Sequence, residues 1–214
     1  LEGKARKGFR NVRNRLRTEG WEFAVLPPAE VRARMDELAA ISAAWLADRR
    51  TREKGFSLGR FAPDYLARCP VAVVRREDRI AAFANLWAAG GREELSVDLM
   101  RHGPDAPADA MEYLLLELML WGREQGFGRF DLGMAPLSGM AGRPLATAWS
   151  RMGNLLFTYG EYFYNFRGLR RYKEKFSPQW EPRYLVCPGG LVLPRVLANL
   201  AALVSGGLKG AMTR

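Results

Sequence analysis

Between Val71 and Leu132 the chain repeats a rhythm that few folds can accommodate. Val71 to Arg76 and Ile80 to Trp87 are short apolar runs separated by the charged pair Glu77-Asp78, a pattern that reads as a β-hairpin. Glu94 to Met100 is a third strand, in which Leu95, Val97 and Leu99 alternate with Ser96, Asp98 and Met100. A loop holding Gly103, Pro104 and Pro107 leads into one helix, from about Ala108 to Gly126, and then into a short strand at Phe130 to Leu132. Three strands joined by short turns pair antiparallel, and a strand reached through a helix adds by a crossover. The pattern therefore predicts an α+β domain built on a mostly antiparallel central sheet flanked by helices.

The flanking segments extend that order. Lys4 to Arg17 is a basic amphipathic helix with Phe9, Val12 and Leu16 on one side. Trp21 to Leu26 alternates like a strand and ends at Pro27-Pro28, and Ala29 to Arg50 reads as one long helix with an apolar stripe that includes Leu38, Ile41 and Trp45. Thr51 to Leu66, containing EKGFSLGRF, is a glycine-punctuated loop leading into a short helix. Downstream, GMAPLSGM is a loop, Leu145 to Leu156 and Leu169 to Phe176 are helices, Arg183 to Cys187 a last strand, and an amphipathic helix starts near Pro194. The economical division is a basic connecting helix over residues 1–20 and one domain over 21–214. The element order is that of the acyl-transferase fold typified by GCN5-related N-acetyltransferases, in which a strand feeds a loop and helix that receive the donor's phosphates.

Charge narrows the partners. Lys and Arg number 33 against 23 Asp and Glu, a net charge of +10, which favours nucleic acid or an anionic membrane surface without distinguishing them. The stretch Gly160 to Leu185 concentrates this character, interleaving Tyr162, Phe163, Tyr164, Phe166, Tyr172, Phe176 and Trp180 with Arg167, Arg170, Arg171, Lys173 and Lys175. Planar rings beside fixed cations suit a surface that holds phosphates and stacks on bases or rides on headgroups. Cys69 and Cys187 lie far apart and His102 is the one histidine, so the thiols read as reduced and neither a zinc site nor any cofactor is called for. No apolar run reaches the roughly 18 residues of a bilayer span; Leu191 to Val204 is interrupted by Pro194, Arg195 and Asn199. A chain that begins Leu-Glu reads as a piece excised from a larger protein.

The chemistry-bearing segment is SVDLMRHGPDAP, Ser96 to Pro107, at the junction of sheet and helix. Strict alternation places Asp98 on the face opposite Val97 and Leu99, with Arg101 at the strand end close enough for an ion pair. Such a pair is either a structural salt bridge or a device in which Asp98 positions or deprotonates a nucleophile while Arg101 binds a phosphate or oxyanion. A coenzyme A enzyme of this fold carries a Gln/Arg-x-x-Gly-x-Gly/Ala loop here, and RHGPDAPADA lacks it. His102 reads as a loop residue.

Four segments together, EKGFSLGRF, SVDLMRHGPDAP, DLGMAPLSGM and FYNFRGLRRYKEKFSPQWEPRYL, with AAFANLW at Ala81 to Trp87, resemble the C-terminal catalytic domain of the aminoacyl-phosphatidylglycerol synthases, the multiple peptide resistance factors. The resemblance runs in order over roughly residues 10 to 210. It implies an enzyme that moves a lysyl or alanyl group from its charged tRNA to a hydroxyl of phosphatidylglycerol. The product lowers the negative charge of the membrane and gives resistance to cationic antimicrobial peptides. It also implies a location on the cytoplasmic side of the bacterial inner membrane, with an upstream acyltransferase-like fold and a flippase region in the longer protein.

By the same resemblance Asp98, Arg101 and Lys173 are active-site positions, with Glu161 beside the donor's α-amino group. Substrate contacts fall to Ser57, Tyr164, Asn165, Arg167, Arg170, Arg171 and Lys175. The aromatic-cationic stretch then forms one wall of a cleft facing Asp98 and Arg101. Alternatives are an aminoacyl-tRNA-dependent transferase acting on a peptidoglycan precursor or a protein N-terminus, a non-catalytic binding domain, and an ordinary acetyltransferase.

Overall fold

The computed structural model describes residues 1–49, 53, 59–136, 166–188 and 192–204. They belong to two compact units, Leu1–Asp131 with Val186–Arg214, and Leu132–Leu185. The first holds a five-stranded sheet in the order β1-β2-β3-β4-β5: β1 (Glu22–Leu26), β2 (Val71–Arg76), β3 (Arg79–Ala88), β4 (Glu94–His102) and β5 (Arg129–Asp131). The first four strands pair antiparallel, and β5 joins β4 in parallel after a crossover through α5 (Ala110–Glu124). This is the mostly antiparallel α+β architecture, flanked by helices, that the periodicity predicts.

Period-two alternation distributes the apolar side chains to two faces. On one, Ala72, Val74, Ala82, Ala84 and Leu86 meet Leu16 of α1 (Lys7–Thr18) and Tyr113, Leu114 and Leu118 of α5. On the other, Val71, Val73, Phe83 and Leu99 meet Val31 of α2 (Pro28–Ala33), Leu38 and Ile41 of α3 (Met35–Asp48) and Leu66 of α4 (Pro63–Leu66). Each fully buried Leu or Val contributes about 1.5–3 kcal/mol relative to an exposed one. The basic helix α1 packs on α5 through polar groups as well, because Glu117 is buried and its carboxylate takes Arg13 Nε at 2.6 Å and Arg17 Nε at 3.3 Å.

Three sequence expectations are corrected here. The long helix from Ala29 to Arg50 breaks at Arg34, whose φ of −107° and ψ of 11° leave the helical region. Arg34 donates to the Asp78 carbonyl at 2.8 Å and to the Asp78 carboxylate. Those bonds brace the β2–β3 turn, where Glu77 (φ 50°) and Asp78 (φ 65°) take the left-handed conformation that a two-residue hairpin requires. Second, Arg183 to Cys187 is not a strand: among the described residues the segment pairs with no strand, and Tyr184, Leu185 and Val186 are exposed. Third, the helix expected over Leu169 to Phe176 spans Phe166–Glu174 (α6). The helix expected from Leu145 to Leu156 lies outside the described residues. The last helix, α7, covers Val192–Val204 with Pro194 in its first turn, where no intrahelical N–H is lost. Among the described residues no helix is long and apolar enough to cross a membrane.

Candidate active site

The site is organised by one extra residue in β4. Ala84 pairs with Met100 and Leu86 with Val97, so β3 advances two residues while β4 advances three. Asp98 and Leu99 together oppose Asn85, which is a β-bulge. The insertion resets the alternation. Leu95 and Val97 pack with α1 and α5, whereas Leu99 joins the cluster of α2, α3 and α4. Asp98, Leu99 and Arg101 consequently share one face, where strict alternation would set Asp98 against Leu99 and put Arg101 on the far side of the sheet.

Asp98 is held by a network that three elements supply. Asn85, fully buried, accepts the Leu99 N–H through Oδ1 at 2.7 Å and donates from Nδ2 to Tyr65 Oη at 2.9 Å. Trp87 Nε1 donates to the same phenol oxygen at 2.6 Å, and Tyr65 donates to Asp98 Oδ2 at 2.7 Å. Burial, then the bond to Asp98, pushes the Tyr65 phenol up to about 12, so it keeps its proton at neutral pH. The backbone at Gly59 presses on the bulge: a Cβ there would lie 2.6 Å from Leu99 N and 2.8 Å from Asp98 Cγ, so only glycine fits.

Arg101 is 9% exposed, and its guanidinium carbon lies 3.9 Å from the Trp45 ring centroid. Nη2 reaches Glu53 Oε2 at 3.3 Å and Nη1 reaches the Met100 carbonyl at 3.1 Å, while the buried Nε has no partner among the described residues. Burial pulls the guanidinium below its ordinary value and Glu53 opposes that shift. The ion pair expected between Asp98 and Arg101 does not form: Arg101 pairs with Glu53, and Asp98 takes the Tyr65 hydroxyl. Carboxylate and guanidinium are each held by their own supports, so neither neutralises the other. Beyond Ser96, which pairs with Asp131, β4 has no strand on its β5 side among the described residues. Its edge opens where Asp98 and Arg101 stand.

Lys173 belongs to the second unit. It is 7% exposed, and Nζ donates to the carbonyls of Gly133 and Met134, each at 2.9 Å. Gly133, with φ 76°, turns its carbonyl to that ammonium, and the DLGMAP loop is tied to α6. Arg170 donates to Glu174 Oε1 at 2.8 Å and lies 4.8 Å from the Trp180 ring centroid. Arg171 and Lys175 are exposed, the latter 5.7 Å from the Tyr172 ring, and Arg167 lies in α6. Glu161, Ser57, Tyr164 and Asn165 lie outside the described residues. His102, read from the sequence as a loop residue, is the last residue of β4, with Nδ1 3.3 Å from the Gly103 carbonyl. Among the described residues no three His, Cys, Asp or Glu side chains gather as metal ligands.

Sequence reasoning passes over Tyr65, Asn85, Trp87 and Gly59, gives Glu53 no role, and reads Trp45 as part of an apolar stripe. The one legible signal is Asn85, a lone amide inside the apolar run AAFANLW.

Residues 1–187 match the family model described as phosphatidylglycerol lysyltransferase, C-terminal. The chain is 41% identical to a phosphatidylglycerol lysyltransferase of Bacillus subtilis over 86% of its own length and 22% of the relative's, and 36% identical to one of Staphylococcus haemolyticus with the same coverage. Among solved structures, L-PGS from Bacillus licheniformis superposes with a TM-score of 0.82 at 39% identity, covering 96% of this chain and 62% of that one. A C-terminal domain from Agrobacterium fabrum gives 0.83 at 43% identity, covering 98% and 63%. The chain thus spans about a fifth of the length of the curated relatives it matches. With this family match over residues 1–187, the chain belongs to the family of phosphatidylglycerol lysyltransferase C-terminal domains.

Proposed function

We propose that this domain carries the transfer step of lipid aminoacylation: a lysyl or alanyl group passes from aminoacyl-tRNA to a hydroxyl of the phosphatidylglycerol headgroup. The observation that carries the reading is the bulge in β4, which brings Asp98 and Arg101 to one face while giving each a separate support. In the reaction the lipid hydroxyl oxygen attacks the ester carbonyl carbon, the bond to the tRNA ribose oxygen breaks, and the proton of the lipid hydroxyl ends on the departing ribose hydroxyl. Asp98 orients the attacking hydroxyl or the donor's amino group, and Arg101 and Lys173 serve the lipid phosphate or the carbonyl oxygen as it gains charge. Arg101 suits that task because its guanidinium is held in place by Glu53 and the Trp45 ring, away from the Asp98 carboxylate. Glu161 is assigned to the α-amino group, and the cations of α6 to the polyanionic substrates.

The donor, the amino acid and the membrane setting rest on the family relationship. In this reading the domain acts at the cytoplasmic face of the inner membrane as the second acyltransferase-like fold of a longer protein that also holds a flippase region, and its product confers resistance to cationic peptides.

The test incubates the protein with radiolabelled lysyl- or alanyl-tRNA and phosphatidylglycerol vesicles, followed by lipid extraction. Label in an aminoacyl-phosphatidylglycerol, lost in Asp98→Ala and Arg101→Ala variants that retain their fold, is the expected result. Label that stays out of lipid and enters a peptidoglycan precursor or a protein N-terminus would assign the domain to a different acceptor. Full activity of Asp98→Ala would remove Asp98 from the mechanism.

A further inference from the structure

The hydrogen-bonding capacity of Tyr65 fixes the direction of every bond around Asp98. Trp87 Nε1–H and Asn85 Nδ2–H can only donate, so at 2.6 and 2.9 Å they occupy the acceptor sites of the phenol oxygen. One phenolic proton remains, and Asp98 Oδ2, at 2.7 Å, is the acceptor in line for it. The amide of Asn85 is equally determined, because its Oδ1 takes the Leu99 N–H. The bonds therefore run from Leu99 through Asn85 and Tyr65 to Asp98 without an ambiguous link. Asp98 Oδ2 is committed to this chain, which leaves Oδ1 as the oxygen for a substrate.

The bulge does not by itself need the phenol. Asn85 already satisfies the Leu99 N–H, so the bond from Tyr65 to Asp98 acts on the carboxylate alone. Trp87 is 53% exposed, yet it directs its ring N–H to the phenol. Two donors on one phenol oxygen polarise its O–H and strengthen the bond it gives onward. A carboxylate that could otherwise rotate about its Cβ–Cγ bond is held in one orientation.

We propose that Tyr65 is the positioning residue of the transfer reaction: it grips Asp98 through Oδ2 so that Oδ1 meets the lipid hydroxyl or the donor's amino group. The proposal rests on the function given above and adds which oxygen of Asp98 acts and what aims it. Asn85 and Trp87 support the same atom from behind, and Gly59 provides the space.

Two arms test it. In lipid aminoacylation, Tyr65→Phe should lower kcat about 100-fold, the scale on which a misplaced catalytic group is felt, with KM for tRNA and lipid unchanged. Trp87→Phe, which removes the indole N–H and keeps the hydrogen bond from Tyr65 to Asp98, should lose less. In the second arm, the 13Cζ resonance of Tyr65 is followed through an alkaline titration without any substrate. Asp98→Asn should move the Tyr65 midpoint down from about 12, because the anionic acceptor is gone. A Tyr65→Phe enzyme with the parent kcat, or one that loses KM in place of kcat, would overturn the positioning role, and an unmoved midpoint in Asp98→Asn would overturn the bond itself. If Tyr65→Phe fails to fold, the Trp87→Phe kinetics and the titration carry the decision. A parent protein that labels no lipid would defeat the proposed function, while the titration would still decide the bond.

Discussion

Asn85 Oδ1 lies 2.7 Å from the Leu99 nitrogen, and this side-chain bond stands where the extra residue of β4 has displaced a ladder bond. The amide is fully buried, so nothing else is at hand to take that N–H. Replacing Asn85 with alanine strands the Leu99 N–H and removes a donor from Tyr65. A destabilisation of about 2–3 kcal/mol is expected from the orphaned buried groups. Urea unfolding at constant m-value measures it, and a change under 0.5 kcal/mol would mean that the strand closes the bulge by itself.

Gly59 supplies the second prediction. A methyl group there would meet backbone at 2.6 Å, and backbone yields less readily than the end of a side chain. Gly59→Ala should cost about 1–3 kcal/mol by overcrowding. It should reduce lipid aminoacylation more than stability alone explains, because the displaced atoms include Asp98 Cγ. Gly59→Ala with full activity would show that the loop can move aside at no cost to Asp98.

Lys173 joins a charge to a tether. Lys173→Met removes the donor from the Gly133 and Met134 carbonyls, which loosens the loop at about 1–3 kcal/mol even as it relieves a buried charge. Hydrogen exchange should quicken at the amides of residues 132–135 and stay unchanged in the sheet, and aminoacylation should disappear. Restored exchange protection without restored activity in Lys173→Gln, a neutral donor, would separate the tether from the charge.

The Tyr65 phenol gives a pH dependence with a defined sign. Its value is raised from the ordinary 10 to about 12 in the folded chain. Between those two pH values the unfolded phenol has lost its proton and the folded one retains it, so the unfolded state binds fewer protons and stability falls as pH rises. The contribution is complete below pH 10 and gone above about 12. Denaturant midpoints measured across that window should fall less steeply in Tyr65→Phe than in the parent, and equal slopes would mean the phenol is not held in its protonated form.

The order of strands was legible because it depends on apolar periodicity, which Val71, Val73, Phe83 and Leu95 carry openly. The bulge was hidden by the same signal. Leu95, Val97 and Leu99 keep perfect spacing in the sequence while Leu99 turns to the other face, and an insertion that leaves the pattern intact cannot be read from it. Asp98 and Arg101 were visible as polar residues at a strand end, but their partners come from segments remote in sequence: Tyr65 in a four-residue helix, and Glu53 and Trp45 before it. Local composition carries no trace of such meetings. Arg183 to Cys187 misleads for the opposite reason, since Tyr, Leu and Val look like a strand even in a segment that forms none.

The contact between α1 and α5 bears on how this chain can be dissected. Leu16 is fully buried against the sheet, and Glu117 sits beneath Arg13 and Arg17. Trimming residues 1–20 as a detachable leader would uncover the apolar face that Leu16 covers and take away both cations that pair with Glu117. The arginines that make this helix look like an appendage are, in two cases, its fasteners.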